Sequence, residues 1–291
     1  MTRSAFIRLI TQGAFLFMAA PIIARAEGQL KTPLDMTSLS RAVGEFLDKT
    51  PYNRLPGTDT RIYGAPLFGA SSAQDPLYRK LKEVVGSDHY MPEDLFPGAK
   101  TVISYFLPYS KEVSKANYGT EDSPALWLLA HQEGATAAEL VRRFIGKSLA
   151  SVDAKAFVPF HDSRYRNKKL VSNWSERHVA FVSGLGTFGL HKSLITEKGS
   201  SGRLDSIITD LEFAPTRRDY SGVYDYCAKC YSCVKRCPVG AIKETGKSIC
   251  ACAKKVLAGK ASPEQAVCGK CLTEVPCENC KPATGNNGLS R

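Results

Sequence analysis

The sequence predicts an α/β domain followed by a small cysteine-rich module, and three observations carry that reading. The chain has 291 residues, enough for one sizeable core and a second, smaller unit. All ten of its cysteines lie between Cys227 and Cys280, so the first 226 residues hold none. Ahead of them, a β-branched and aromatic run at 101–107 is followed by a long helical stretch at 125–149 and a second strand-like run at 154–158. Strand, helix, strand in that order is the pattern of an α/β layer.

Residues 1–26 read as an export signal. Arg3 and Arg8 open it, 9–23 is largely apolar, and Ala24-Arg25-Ala26 supplies an A-x-A cleavage site. The segment from Thr2 to Arg8 resembles a twin-arginine leader with Ser4 in place of the second arginine. The expectation is a protein in the periplasm or on the outer face of the cytoplasmic membrane, with an uncleaved N-terminal anchor as the alternative. The net charge is +11; without Arg3, Arg8 and Arg25 it is 36 basic against 28 acidic residues, or +8. A solvated basic surface accounts for this, and an acidic redox partner, an anionic cofactor or RNA would also exploit it.

Residues 27–36 look like a linker, 38–47 a short helix, and 53–74, rich in Gly, Pro, Ser and Thr, an extended loop. A helix is predicted over 76–85 with Leu77, Leu81, Val84 and Val85 on one face, stopped by Gly86. The strand at 101–107 is bounded by Pro97-Gly98 and Pro108. The helix at 125–149 carries the stripe Leu140, Val141, Phe144, Ile145 and Leu149, with a break expected near Gly134. Residues 164–169 form a basic, exposed-looking segment, and Ser175 is placed to cap a helix running to 183. Strands are expected at 194–196 and 204–213, and residues 214–226 lead into the cysteines.

Cys227, Cys230, Cys233, Cys237 and Pro238 spell C-x2-C-x2-C-x3-C-P, the run that wraps three thiolates around one iron–sulfur cubane and sends the fourth to another. Zinc is an alternative, because C-x2-C recurs at Cys268/Cys271 and Cys277/Cys280, and disulfides are another, because ten is even. The x3-Cys-Pro ending separates iron–sulfur from zinc. No Walker A run, Gly-x-Ser-x-Gly elbow or His-Glu-x-x-His site is present. Gly184, Gly186 and Gly189 have dinucleotide-fingerprint spacing, but they follow a predicted helix and precede a strand, the wrong context.

The stretch from Arg177 to Thr196, with its Gly-Leu-Gly-Thr-Phe-Gly turn, then Ser-Ile-Ile-Thr-Asp-Leu-Glu-Phe at 206–213, then the cysteine run, resembles the epoxyqueuosine reductase family and, more distantly, the reductive dehalogenases. The likeness covers roughly residues 95–280. It implies a nitroreductase-like α/β (α+β) domain over 27–215 that binds cobalamin base-off. A ferredoxin-like domain over 216–281 with two [4Fe-4S] clusters would feed it electrons, and residues 282–291 would be a disordered tail. By the same resemblance Cys227, Cys230, Cys233 and Cys277 hold one cluster. Cys237, Cys250, Cys268 and Cys271 hold the other, with Cys252 and Cys280 as alternates.

Trp174, Arg177 and His178 open the helix before the glycine turn. They either pack and balance charge or meet the corrin, and Gly184, Gly186 and Gly189 either bring backbone N–H groups to a cofactor or permit close packing. His161 and Asp162, after a strand end, are candidate proton donors set against an ordinary surface loop. His89, His131 and His191 carry no pattern beyond structural roles. The family places a proton-donating Asp six residues before the Glu of its Glu-Arg pair. Here that pair is Glu176-Arg177 and the position is Leu170, so epoxyqueuosine reduction, which protonates a departing oxygen, is not expected. An exported protein would not meet tRNA. The expected reaction is therefore cobalamin-dependent reduction of a small molecule, fed by a small electron-donor protein or a membrane redox partner. The alternatives are an electron-transfer subunit with no catalytic cofactor of its own, or a flavin enzyme on the same scaffold.

Overall fold

The computed structural model describes residues 34–120, 124–168, 170–258 and 267–283. The export signal expected over 1–26, and the tail from 284, lie outside the described residues.

Helix α1 (Met36–Lys49) starts from a reciprocal cap: Ser38 N–H donates to the Asp35 carboxylate at 2.6 Å, and Asp35 N–H donates to Ser38 Oγ at 3.0 Å. Strand β1 (Leu67–Ser72) falls inside the segment expected to be a loop. Its Gly69-Ala70-Ser71-Ser72 carries no β-branched signal. It is a strand because its neighbour offers a ladder along its whole length, from Leu67 opposite Phe106 to Ser72 opposite Thr101. Helix α2 (Leu77–Val84) buries Tyr78 and Leu81, while Val84, expected on the inner face, is 67% exposed. The one-turn α3 (Pro92–Leu95) leads to β2 (Thr101–Pro108), buried at every residue.

After α4 (Lys111–Lys115), α5 (Ala125–Ala150) runs without the break expected at Gly134. That glycine is there for close approach, since a Cβ would stand 2.5 Å from the Tyr63 hydroxyl. Strand β3 (Ala156–Phe157) is only two residues long, and β4 (Asn167–Lys168) pairs with β5 (Val171–Ser172). Helix α6 (Glu176–Val182) begins after Ser175, whose hydroxyl meets His178 Nδ1 at 2.7 Å rather than a backbone N–H. Strands β6 (Gly186–Phe188) and β7 (Leu194–Thr196) pair with each other, and β8 (Gly202–Thr209) stops four residues before the predicted end. The cysteine-rich part adds α7 (Ser232–Arg236), β9 (Ile242–Lys243), β10 (Gly246–Lys247) and α8 (Ile249–Leu257).

The central sheet has the order β1-β2-β8-β3, and every adjacent pair is antiparallel. Side chains alternate across it. Ile103, Tyr105, Leu107 and Ile207 pack with α1 and α5 on one face, and Val102 and Ile208 pack with α2 and α6 on the other. The result is a mixed α/β fold. The cysteine-rich part seats on the β6–β7 end through Leu190, Ile195, Tyr226, Ile242 and Val275.

The β6–β7 hairpin depends on Gly186, at φ +153°, where a Cβ would run into the Ile195 carbonyl. Gly186→Ala is expected to cost about 1–3 kcal/mol in urea unfolding. Gly146→Ala, in mid-helix with open space around it, should instead stabilise by about 0.5–1 kcal/mol.

Candidate metal centres and the cavity beside them

All ten cysteines are free thiols, and eight of them gather into two groups of four. The first group is Cys227, Cys230 and Cys233 with Cys277, which arrives from the far end of the chain. They wall a small pocket together with Leu190, Ile195 and Val275. The backbone of Cys277 is tied to the larger part of the protein, its carbonyl accepting from Ser200 N–H at 2.8 Å. Burial pushes the Cys233 thiol up to about 11 and the Cys277 thiol up to about 12. Thiols buried this way stay protonated unless a cation holds them as thiolates.

The second group is Cys237, Cys252, Cys268 and Cys271, around a larger cavity. Cys237, at the end of α7, leaves the first pocket and accepts from Ala241 N–H at 3.2 Å. Burial, then the neighbouring cysteines, push Cys271 up to about 12, and Cys233 of the first group is among those neighbours, so the two groups are adjacent. Lys247 Nζ stands 4.0 Å from the Cys271 sulfur.

Here the expectation needs correcting: Cys252 lines the second cavity, and Cys250 is exposed and lines neither. Two residues on a helix lie about 200° apart, so α8 can turn only one of them inward. Val256, one turn beyond Cys252, lines the same cavity. That i, i+4 relation to an apolar residue was the available signal in the sequence. Cys280 is exposed and lines neither pocket. Among the described residues no three His, Cys, Asp or Glu side chains converge as the ligands of one ion would. The thiols surround space instead of meeting at a point.

The second cavity extends beyond its cysteines to Tyr109, Trp127, His131, Leu170 and Gly202. Residues 109, 127 and 131 carried no signal in the sequence, because only the fold brings the start of α5 against the cysteines. The Tyr109 hydroxyl is 3.1 Å from His131 Nδ1, and burial holds the phenol well above its usual range, so it keeps its proton. Trp127 Nε1 is buried without a hydrogen-bond partner. Arg177 is buried close enough to Cys252 and Cys271 to feel their charge, and its guanidinium donates to the Lys192 carbonyl at 2.8 Å.

His161 and Asp162 are not on either pocket. His161 Nε2 is 2.7 Å from Glu139, and Asp162 is paired with Arg164 at 2.8 Å, so both make polar contacts away from the two pockets. Glu139 belongs to a network that runs inward: Arg142 bridges it at 3.0 Å and Asp205 at 2.6 Å. Burial opposes ionisation of Glu139, but hydrogen bonds from His161 and Arg143 outweigh it and hold the carboxyl at about 2. Burial and then Asp205 push the Glu176 carboxyl well above the carboxylate range.

No protein-family profile matches the chain. It is 27% identical over 157 residues to epoxyqueuosine reductase of Bacillus cereus, covering 54% of this chain and 39% of that protein. Over 65 residues it is 40% identical to tetrachloroethene reductive dehalogenase of Desulfitobacterium hafniense, which is 22% of this chain and 12% of that one. A solved reductive dehalogenase superposes with a TM-score of 0.54 at 16% identity, covering 88% of this chain and 34% of the other. The chain is epoxyqueuosine reductase-like and related to the reductive dehalogenases. It spans less than half the length of these curated relatives.

For an epoxyqueuosine reductase-like chain, the glycine turn does local work. Gly184 (φ +80°) faces Thr216, Gly186 faces β7, and a Cβ on Gly189 would stand 2.6 Å from the His191 ring. Trp174 is core: its indole N–H donates to Ser206 Oγ at 2.9 Å and its ring stacks with Tyr78 and His89. His178 is pushed down to about 3 by burial, then by Arg177, and packs on Phe188. Of the six residues expected to hold cofactor, Arg177 is buried near Cys252 and Cys271 of the second group.

Proposed function

We propose that the protein is an iron–sulfur oxidoreductase in which two [4Fe-4S] clusters relay electrons to a cobalamin. The observation that carries this reading is the pair of adjacent four-cysteine pockets, the second of which extends past its cysteines to Tyr109, Trp127 and His131. Four thiols spread around a pocket are the donor set of a cubane. Cys227, Cys230, Cys233 and Cys277 would hold one, and Cys237, Cys252, Cys268 and Cys271 the other. The reductive dehalogenase of matching fold carries out B12-dependent dehalogenation. The space beyond the second cysteine group is where this chain would take a corrinoid, walled by Tyr109, Trp127, His131, Leu170 and Gly202. The unpartnered Trp127 N–H fits a ligand rich in amide carbonyls.

The cobalamin, when bound, supplies a cobalt centre that passes electrons to the substrate. The protein supplies enclosure and a proton. Leu170, where the resemblance calls for an Asp, lines the cavity and offers no proton. Tyr109, kept protonated by burial and paired with His131, is a proton-bearing group on that wall. The substrate would be a small molecule. With the export signal read over 1–26, the protein would work outside the cytoplasm with a small redox protein or membrane donor.

Anaerobic purification with corrinoid supplied, followed by iron, sulfide and cobalt analysis and a visible spectrum, tests this. The expected result is about eight irons and one cobalt per chain. Iron and sulfide without cobalt would make the protein an electron carrier, and bound flavin in place of cobalt would replace the corrinoid reading.

A further inference from the structure

We infer that His191 is a built-in hydrogen-bond donor to the Cys277 sulfur and raises the potential of the cluster in the first pocket. The inference rests on the reading that this pocket holds a cubane, and on the geometry of one imidazole. His191 is 2% exposed and lines the pocket with the four cysteines. Its Nδ1 accepts from Ser193 N–H at 3.0 Å, which leaves the ring proton on Nε2. Nε2 is 3.5 Å from Cys277 Sγ, within reach for an N–H donor to sulfur. Ser200 Oγ is also near that sulfur, at 3.9 Å, but its single proton has the Cys277 carbonyl at 3.0 Å. In the second pocket Cys237 accepts from a backbone N–H and the Lys247 ammonium stands 4.0 Å from Cys271.

The local chain is shaped to hold this ring. Gly189 N–H donates to the Ser193 carbonyl at 2.9 Å and closes the turn that carries His191. A side chain at 189 would start 2.6 Å from the imidazole, so the last glycine of the turn makes room for the ring and not for a cofactor.

One-electron reduction of a cubane adds one electron, takes no proton, and raises the negative charge on its thiolate sulfurs. An N–H aimed at one of those sulfurs is a stronger hydrogen bond after reduction than before. It therefore favours the reduced cluster and raises the potential. The carboxamide N–H of glutamine can reach a similar point, whereas leucine fills the space without donating.

The test is a redox titration of protein with both clusters, followed by electron paramagnetic resonance, on wild type, His191→Leu, His191→Gln and Gly189→Ala. His191→Leu should keep its full iron content and move one of the two reduction waves to lower potential. The expected shift is about tenfold in the reduction equilibrium, or about 59 mV for one electron, with the other wave unmoved. His191→Gln should restore most of the shift, and Gly189→Ala, which displaces the ring, should move the same wave in the same direction. Both waves unmoved in His191→Leu, or both moved together, would overturn the inference. Loss of about four irons would overturn it too, by making His191 necessary for holding the cluster. A wild-type protein with no cubane signal would instead sink the iron–sulfur reading on which it rests.

Discussion

Cys252→Ala is expected to lose about four of the eight irons, while Cys250→Ala and Cys280→Ala keep all of them. The three cysteines differ in position and not in chemistry. Cys252 lines the second cavity with Cys237, Cys268 and Cys271, and Cys250 and Cys280 are exposed and line neither pocket. Serine could still ligate iron through oxygen, so alanine is the cleaner replacement. Iron and acid-labile sulfide on anaerobically purified protein give the answer directly. Loss of iron in Cys250→Ala with retention in Cys252→Ala would reverse the assignment. The remaining four irons in Cys252→Ala should keep the spectrum of a single cubane, because Cys227, Cys230, Cys233 and Cys277 line the first pocket and Cys252 does not.

Arg142→Met should destabilise the larger part of the protein by about 3–5 kcal/mol. Arg142 and Asp205 are 5% and 3% exposed at their side chains, and their charges meet at 2.6 Å. Asp205 lies opposite Tyr105 in the β2–β8 ladder, and it is close enough to raise the Glu176 carboxyl. Without the guanidinium, the Asp205 charge would be left in the interior beside a second acid. The double variant Arg142→Met/Asp205→Leu removes both charges and should recover most of the loss, since a buried pair is worth little against apolar packing. Both tryptophans, Trp127 and Trp174, lie outside the cysteine-rich part, so fluorescence-detected urea unfolding reads the affected core. A loss below about 1 kcal/mol in the single variant would mean the pair is solvated in solution.

The sequence showed elements whose stabilisation is local or is written in one segment. Strand β2 was legible because all of its eight residues but Ser104 are apolar or β-branched, and every one is buried. Helices α1, α5 and α6 were legible from their apolar spacing and flanking residues. Strand β1 was not, because Gly69 to Ser72 has no strand propensity and is held by hydrogen bonds to a distant partner, residues 101–104. Val84 was placed inside and is outside, because α2 turns Tyr78 and Leu81 to the core. His161 and Asp162 looked like site residues because they follow a strand, yet their partners, Glu139 and Arg164, draw them to the surface.

By itself the sequence determined the chemistry: thiolates in an iron–sulfur spacing, confined to the last quarter of the chain, behind a glycine turn and strands that resemble the epoxyqueuosine reductases. The tertiary structure decided which thiols share a pocket, that Tyr109, Trp127 and His131 wall the cavity beside them, and that His191 touches a cysteine 86 positions away. The division has a physical cause. A motif records ligands brought together by one short loop, whose spacing the chain fixes locally. A pocket wall is assembled from segments that meet only when hydrophobic burial closes the core, and no local spacing encodes that meeting.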